Sequence, residues 1–71
     1  MDAEEIKRIA ERQPFRPFGV RLTNGAEYVF SEPRDFGAAR SYRTIFFFGD
    51  DDWVLIDRDN IAEVFDSPNG A

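Results

Sequence analysis

Phe18-Gly19-Val20-Arg21-Leu22-Thr23-Asn24-Gly25-Ala26-Glu27-Tyr28-Val29-Phe30 is the stretch on which the fold turns. Two runs with apolar residues at alternate positions flank an Asn-Gly pair, the strongest short-range hairpin signal that a sequence offers. Two registers compete. A two-residue loop at Asn24-Gly25 sets Leu22 opposite Glu27 and Phe18 opposite Ser31, which mixes apolar and polar side chains on one side. A three-residue loop, Thr23-Asn24-Gly25 with Gly25 left-handed, sets Leu22 opposite Ala26, Val20 opposite Tyr28 and Phe18 opposite Phe30. A slip of one residue turns every side chain to the other face, so the register that gathers the apolar set is expected. Arg21 and Glu27 then share the outer face with Gly19 and Val29.

Upstream, residues 2–13 carry Ile6, Ile9, Ala10 and Gln13 at helical spacing, with Asp2 as N-cap and Glu5 three places on. Glu4 with Arg8 and Lys7 with Glu11 stand four apart, in the acid-first order that helps a helix. The apolar stripe is narrow and the helix short, so it needs a docking surface. Pro14 ends it, lacking an N–H and disfavouring helix at Gln13. Pro17 keeps Arg16 extended, and Phe15 and Phe18 are expected beneath the helix.

Downstream, residues 32–41 carry no strand pattern and read as a loop with one helical turn, pinned by Phe36. Tyr42-Arg43-Thr44-Ile45-Phe46-Phe47-Phe48 is a strong strand, paired with Trp53-Val54-Leu55-Ile56 across the Gly49-Asp50-Asp51-Asp52 turn. Asp57-Arg58-Asp59-Asn60 makes a tight turn of 3₁₀ type, Ile61–Phe65 a last strand, and residues 66–71 a fraying tail. The expected molecule is one mainly β domain over residues 1–71. A helix at about 2–13 precedes a five-stranded, strongly bent antiparallel sheet or small barrel, with strands near 18–23, 26–31, 42–48, 53–57 and 61–66.

The third and fourth strands are apolar on both faces, and such strands must be covered on both. Phe46, Phe48, Trp53 and Leu55 form one row; Ile45, Phe47, Val54 and Ile56 form the other. One row builds the core and the other needs the helix or a neighbouring subunit. The candidate self-association surface is Ile45, Phe47, Val54 and Ile56.

A chain of 71 residues lies near the size at which one core only just supports folding. With no Cys it has no disulfide, thiolate nucleophile or thiolate metal site, so it rests on the packing of eight Phe, two Tyr and one Trp. The missing Cys fits a cytoplasmic protein. No apolar run approaches the ~20 residues needed to span a bilayer, and the first residues are acidic, unlike a signal peptide. A soluble protein without a membrane role is expected.

Fourteen acids oppose nine bases, for a net charge of −5 that repels nucleic-acid phosphates, whereas dedicated binders carry a basic patch or stripe. Arg16, Arg21, Arg40 and Arg43, interleaved with Phe15, Tyr28, Phe36 and Tyr42, are the alternative: a stacking platform for single-stranded nucleic acid. The chain has no His, hence neither the usual general base near neutral pH nor the usual zinc ligand. Its Ser and Thr residues have no activating base at recognisable spacing, and no glycine motif cradles phosphate. Asp50-Asp51-Asp52 is the one candidate cluster for Mg²⁺ or Ca²⁺, without further ligands at loop spacing, and reads as a solvated turn. Asp57, Asp59 and Glu63 are the one set for paired-carboxylate chemistry, and turn capping accounts for them better. No catalytic residue, metal or cofactor is assigned.

The early Val20-Arg21-Leu22-Thr23-Asn24-Gly25 and the late Ile56-Asp57-Arg58-Asp59-Asn60-Ile61, set in this order of elements, resemble the Sm-like (LSm) barrel. That family has an N-terminal helix, a first strand ending in Asp-Gly or Asn-Gly, and an Ile-Arg-Gly-Asp-Asn-Ile-like segment before its fifth strand. The resemblance implies a small Sm-like or SH3-like barrel and a ring-forming habit. The family's late Arg-Gly pair falls on Asp57 and Arg58, and its central Asp-x-x-x-Asn signature has no counterpart in residues 32–41. Its RNA contacts thus carry over poorly, leaving Arg21, Arg40, Arg43 and Arg58 as candidate nucleic-acid contacts. Arg16-Pro17-Phe18 followed by Leu22-Thr23-Asn24-Gly25 also resembles small bacterial proteins with an Arg-Pro-Phe…Leu-x-Asp-Gly opening, which implies no activity. The expected function is a non-catalytic interaction module that binds a protein partner or itself, with single-stranded RNA binding as the alternative.

Overall fold

The computed structural model describes residues 2–67. One helix, α1 (Ala3–Ala10), precedes six strands: β1 (Phe18–Leu22), β2 (Glu27–Phe30), β3 (Phe36–Ala38), β4 (Thr44–Phe48), β5 (Trp53–Asp57) and β6 (Ile61–Asp66). They form two antiparallel three-stranded sheets, ordered β2-β1-β6 and β3-β4-β5. Residues 68–71, the end of the expected tail, lie outside the described residues.

The hairpin takes the three-residue loop. Phe18 pairs with Phe30, Val20 with Tyr28 and Arg21 with Glu27, and the Leu22 N–H donates to Ala26 O at 2.8 Å. Gly25 has φ +92°, the left-handed region where a Cβ is costly, and its N–H closes the turn onto Leu22 O at 2.9 Å. β6 pairs with β1 on the other side, and a bulge lets Ile61 face Leu22 while Glu63 faces Arg21. The extra residue brings both Ile61 and Val64 to the core although they differ in parity.

The core fills the space between the sheets. Phe18, Val20 and Phe30 from the first sheet meet Ile45 and Ile56 from the second, and Ile61 and Ile6 complete the buried set. Ring pairs cross between the sheets: Phe30 with Phe36 at 5.3 Å, Tyr28 with Phe47 at 5.3 Å and Phe18 with Phe36 at 5.7 Å between centroids. Such tilted and edge-on pairs add to plain area burial. Phe15 lies 6.1 Å from Phe18, and Phe36 holds its segment down as expected.

Three elements differ from the sequence reading. The strand expected from Tyr42 begins at Thr44, because Tyr42 turns at φ +59° with its N–H donating to Ala39 O at 2.8 Å. The helix stops at Ala10 rather than near residue 13. Helix is disfavoured before Pro14, and Arg12 is drawn away to Arg16 O (3.2 Å) and Asp66 (3.0 Å), tying the helix end to β6. Asp2 caps the other end by accepting from the Glu4 N–H at 3.1 Å. The expected 32–41 loop contains a 3₁₀ turn, Pro33–Asp35, and then β3, so there are six strands instead of five. Asp35 secures that turn by accepting from the N–H groups of Ser31 and Glu32 at 3.2 and 3.1 Å. No helix among the described residues is long and apolar enough to cross a membrane.

Candidate functional site

Both faces of β4 and β5 are apolar, and the pairing decides which one is free. Ile45 stands opposite Ile56, Phe46 opposite Leu55, Phe47 opposite Val54 and Phe48 opposite Trp53. Ile45 and Ile56 are essentially fully buried, and Phe47 and Val54 are partly buried against the core. The residues expected as a self-association surface therefore form the wall that faces Tyr28 and Phe30 of the first sheet. The free face is the opposite row, where Trp53 is 61% exposed, Leu55 55% and Phe48 43%.

That face is ordered by its own contacts. The rings of Phe46 and Phe48 stack nearly parallel, 5.9 Å apart with 5° between planes. The Phe48 ring lies over Gly37 of β3, where an added Cβ would come within 2.8 Å of it. Phe46, Phe48, Trp53 and Leu55 thus make a continuous aromatic and aliphatic platform across two strands, an exposed patch of the kind that marks interaction sites. Thr44 and Asp57, paired at the far end of the same row, give it a polar margin. Those two polar residues were the signal in the sequence for which row faces out.

One end of the sheet is acidic and the other is mixed in charge, with Arg40, Arg43, Asp57 and Asp59 all exposed there. Gly49 and Asp52 close the β4–β5 hairpin through a 2.8 Å backbone hydrogen bond, leaving Asp50, Asp51 and Asp52 exposed. Beside this tip a polar hollow is lined by Glu32, Arg34, Asp35, Phe48, Gly49 and Asp50. Among the described residues no three carboxylates converge on a metal position. At the opposite end, Arg40 and Arg43 lie in the exposed β3–β4 loop, and the Arg58 N–H donates to Arg43 O at 2.9 Å.

The four arginines expected at a nucleic-acid surface do not share one. Arg21 lies on the outer face of the other sheet, clamped between Glu27 at 3.0 Å and Glu63. Arg58 is partly buried, with Nε enclosed and without a hydrogen-bond partner among the described residues. Of these four, only Arg40 and Arg43 are exposed and without an ion pair among the described residues. Of the expected stacking aromatics, Tyr28, Phe36, Phe15 and Tyr42 pack against the core. The candidate carboxylates also separate: Asp57 caps the 3₁₀ turn Arg58–Asn60 by accepting from the Asp59 N–H at 2.9 Å, while Glu63 belongs to Arg21.

Comparison with protein-family models, with curated proteins and with solved structures gives no match.

Proposed function

We propose that this protein is a non-catalytic interaction module whose docking surface is the outer face of β4 and β5. The observation that carries the reading is the exposure of Trp53, Leu55 and Phe48 side by side on regular strands, with Phe46 stacked behind them. The chain has neither His nor Cys, Asp57 caps a turn and Glu63 pairs with Arg21. A rigid apolar sheet face suits protein contact, where aromatic side chains supply most of the binding energy. The lack of Cys suits a cytoplasmic setting.

The same reading includes a small barrel of Sm-like or SH3-like type. Only Ser31, Glu32 and one 3₁₀ turn separate β2, at the edge of one sheet, from β3, at the edge of the other, and the reading counts the two as one bent arm. A second 3₁₀ turn, Arg58–Asn60, carries the chain from β5 in one sheet to β6 in the other. Counted this way there are five bent arms. Single-stranded RNA binding is the lesser reading, because Asp57 and Arg58, at the family's late Arg-Gly positions, are a turn cap and a partly buried guanidinium.

The test is capture from native extract with tagged wild-type chain and with Leu55→Lys, each with and without nuclease. A protein, this chain included, held through nuclease treatment and lost with Leu55→Lys is expected. Nuclease-sensitive capture, or capture that Leu55→Lys leaves unchanged, contradicts the reading.

A further inference from the structure

We propose that Asn24-Gly25 is a modification site, where water converts Asn24 to isoaspartate when the β1–β2 hairpin opens and where the closed hairpin holds the reaction back.

The chemistry belongs to the pair. Glycine has no side chain to hinder its amide nitrogen, so that nitrogen can reach the carboxamide before it. The Gly25 nitrogen gives its proton to hydroxide and attacks Asn24 Cγ. A C–N bond forms, the carboxamide C–N bond breaks, and ammonia leaves after taking a proton from water. Water then adds across one C–N bond of the cyclic imide. Opening at one carbonyl leaves an ordinary aspartate at position 24, and opening at the other leaves isoaspartate. The chain has three asparagines, Asn24, Asn60 and Asn69. Asn60 precedes the β-branched Ile61, whose buried side chain shields the nitrogen. Asn69-Gly70 lies outside the described residues.

Solvent access does not protect the turn. Asn24 and Gly25 are both exposed, and a Cβ added at Gly25 would meet nothing within 4 Å. Hydrogen bonds protect it. The Gly25 N–H donates to Leu22 O at 2.9 Å, and Asn24 Oδ1 accepts from the Ala26 N–H at 2.9 Å. Removing the Gly25 proton would leave Leu22 O facing an anion. Swinging the carboxamide towards the nitrogen would break the bond from Ala26. Both bonds belong to the three-residue loop and are lost together when it opens.

The product acts on the fold. Isoaspartate carries the main chain through Cβ and Cγ, which lengthens the loop by one atom and adds a negative charge. The turn sets the β1–β2 register, and β1 is the central strand of its sheet. A lengthened turn therefore disturbs the strand that β2 and β6 both need. Chains that open often become marked and close less well, while chains that stay closed are spared.

The test follows position 24 by peptide mass spectrometry, with aspartate and isoaspartate forms separated, in purified protein at mildly alkaline pH. One sample is kept in buffer and one in concentrated guanidinium. Conversion at position 24 is expected to run at least several-fold faster in guanidinium, with Asn60 unchanged in both samples. The isoaspartate form, isolated and returned to buffer, is expected to unfold at lower urea concentration than the parent chain. Asn24→Asp, with the same charge on an ordinary main chain, is expected to stay near the parent. Equal rates in buffer and guanidinium, no conversion in guanidinium, or an isoaspartate form as stable as Asn24→Asp overturns the proposal.

Discussion

At the scale of single residues, two glycines are required for different reasons. Gly25 has open space around it but a φ of +92°, so Gly25→Ala is expected to cost about 1 kcal/mol through backbone strain alone. Gly19 lies beneath Phe65, and an added Cβ would come within 2.5 Å of Phe65 Cζ and 3.0 Å of Tyr28 O. Gly19→Ala is expected to cost roughly 1–3 kcal/mol by overpacking. Urea unfolding separates the cases, since Phe65→Ala should relieve the second penalty and leave the first untouched. Tyr42 sits at φ +59° and donates its hydroxyl to Glu11 at 2.9 Å, joining the β3–β4 loop to the segment after α1. Burial first, then the Glu11 hydrogen bond and charge, raise its pKa above the ordinary 10.0. The folded state therefore holds the phenol proton more tightly than the unfolded state. Its contribution is complete below pH 10 and is lost as pH climbs beyond that value. Melting temperatures across this range should fall less steeply for Tyr42→Phe than for wild type, and a matching slope in both would remove the contact's role.

At the scale of elements, α1 contributes Ile6 to the core, and eight residues of helix are marginal without that anchor. Ile6→Ala is expected to cost roughly 2–4 kcal/mol, and Arg12→Ala, which frees the helix end from Asp66 and Arg16, about 1 kcal/mol. Chemical denaturation checks both, and an Ile6→Ala loss under 1 kcal/mol would mean the helix is not docked as described. The β1–β2 hairpin was legible because Asn24-Gly25 and the alternation specify one register between them. The turn at Asp57–Asn60 was legible from its capping aspartate. β3 was not: three residues, one of them Gly37, carry no period, and the strand exists because Phe47, Phe46 and Ile45 of β4 offer it a partner. The helix end was overread because periodicity continues to Gln13, whereas Arg12 finds better hydrogen bonds outside the helix. The free face of β4 and β5 was assigned to the wrong row. Hydrophobicity cannot choose between two apolar rows, but Thr44 and Asp57 share parity with Phe46, Phe48, Trp53 and Leu55, and polar ends mark the solvent side. The arginines misled for a related reason, as sequence spacing does not reveal that Glu63 reaches Arg21 from β6.

At the scale of the whole molecule, two small sheets enclose one core and leave one broad apolar face on the outside of β4 and β5. A chain of this size has little apolar surface to spare, so leaving Trp53 and Leu55 outside the core makes sense if something else covers them. The only Trp in the chain stands on that face, and its fluorescence therefore reports cover directly. The decisive measurement is quenching of Trp53 by a neutral soluble quencher in the purified protein at high dilution, alone and with the protein captured from native extract. Strong quenching of the chain alone and shielding with the captured protein are expected. An indole shielded in the dilute chain alone, or left equally open by the captured protein, would contradict the account.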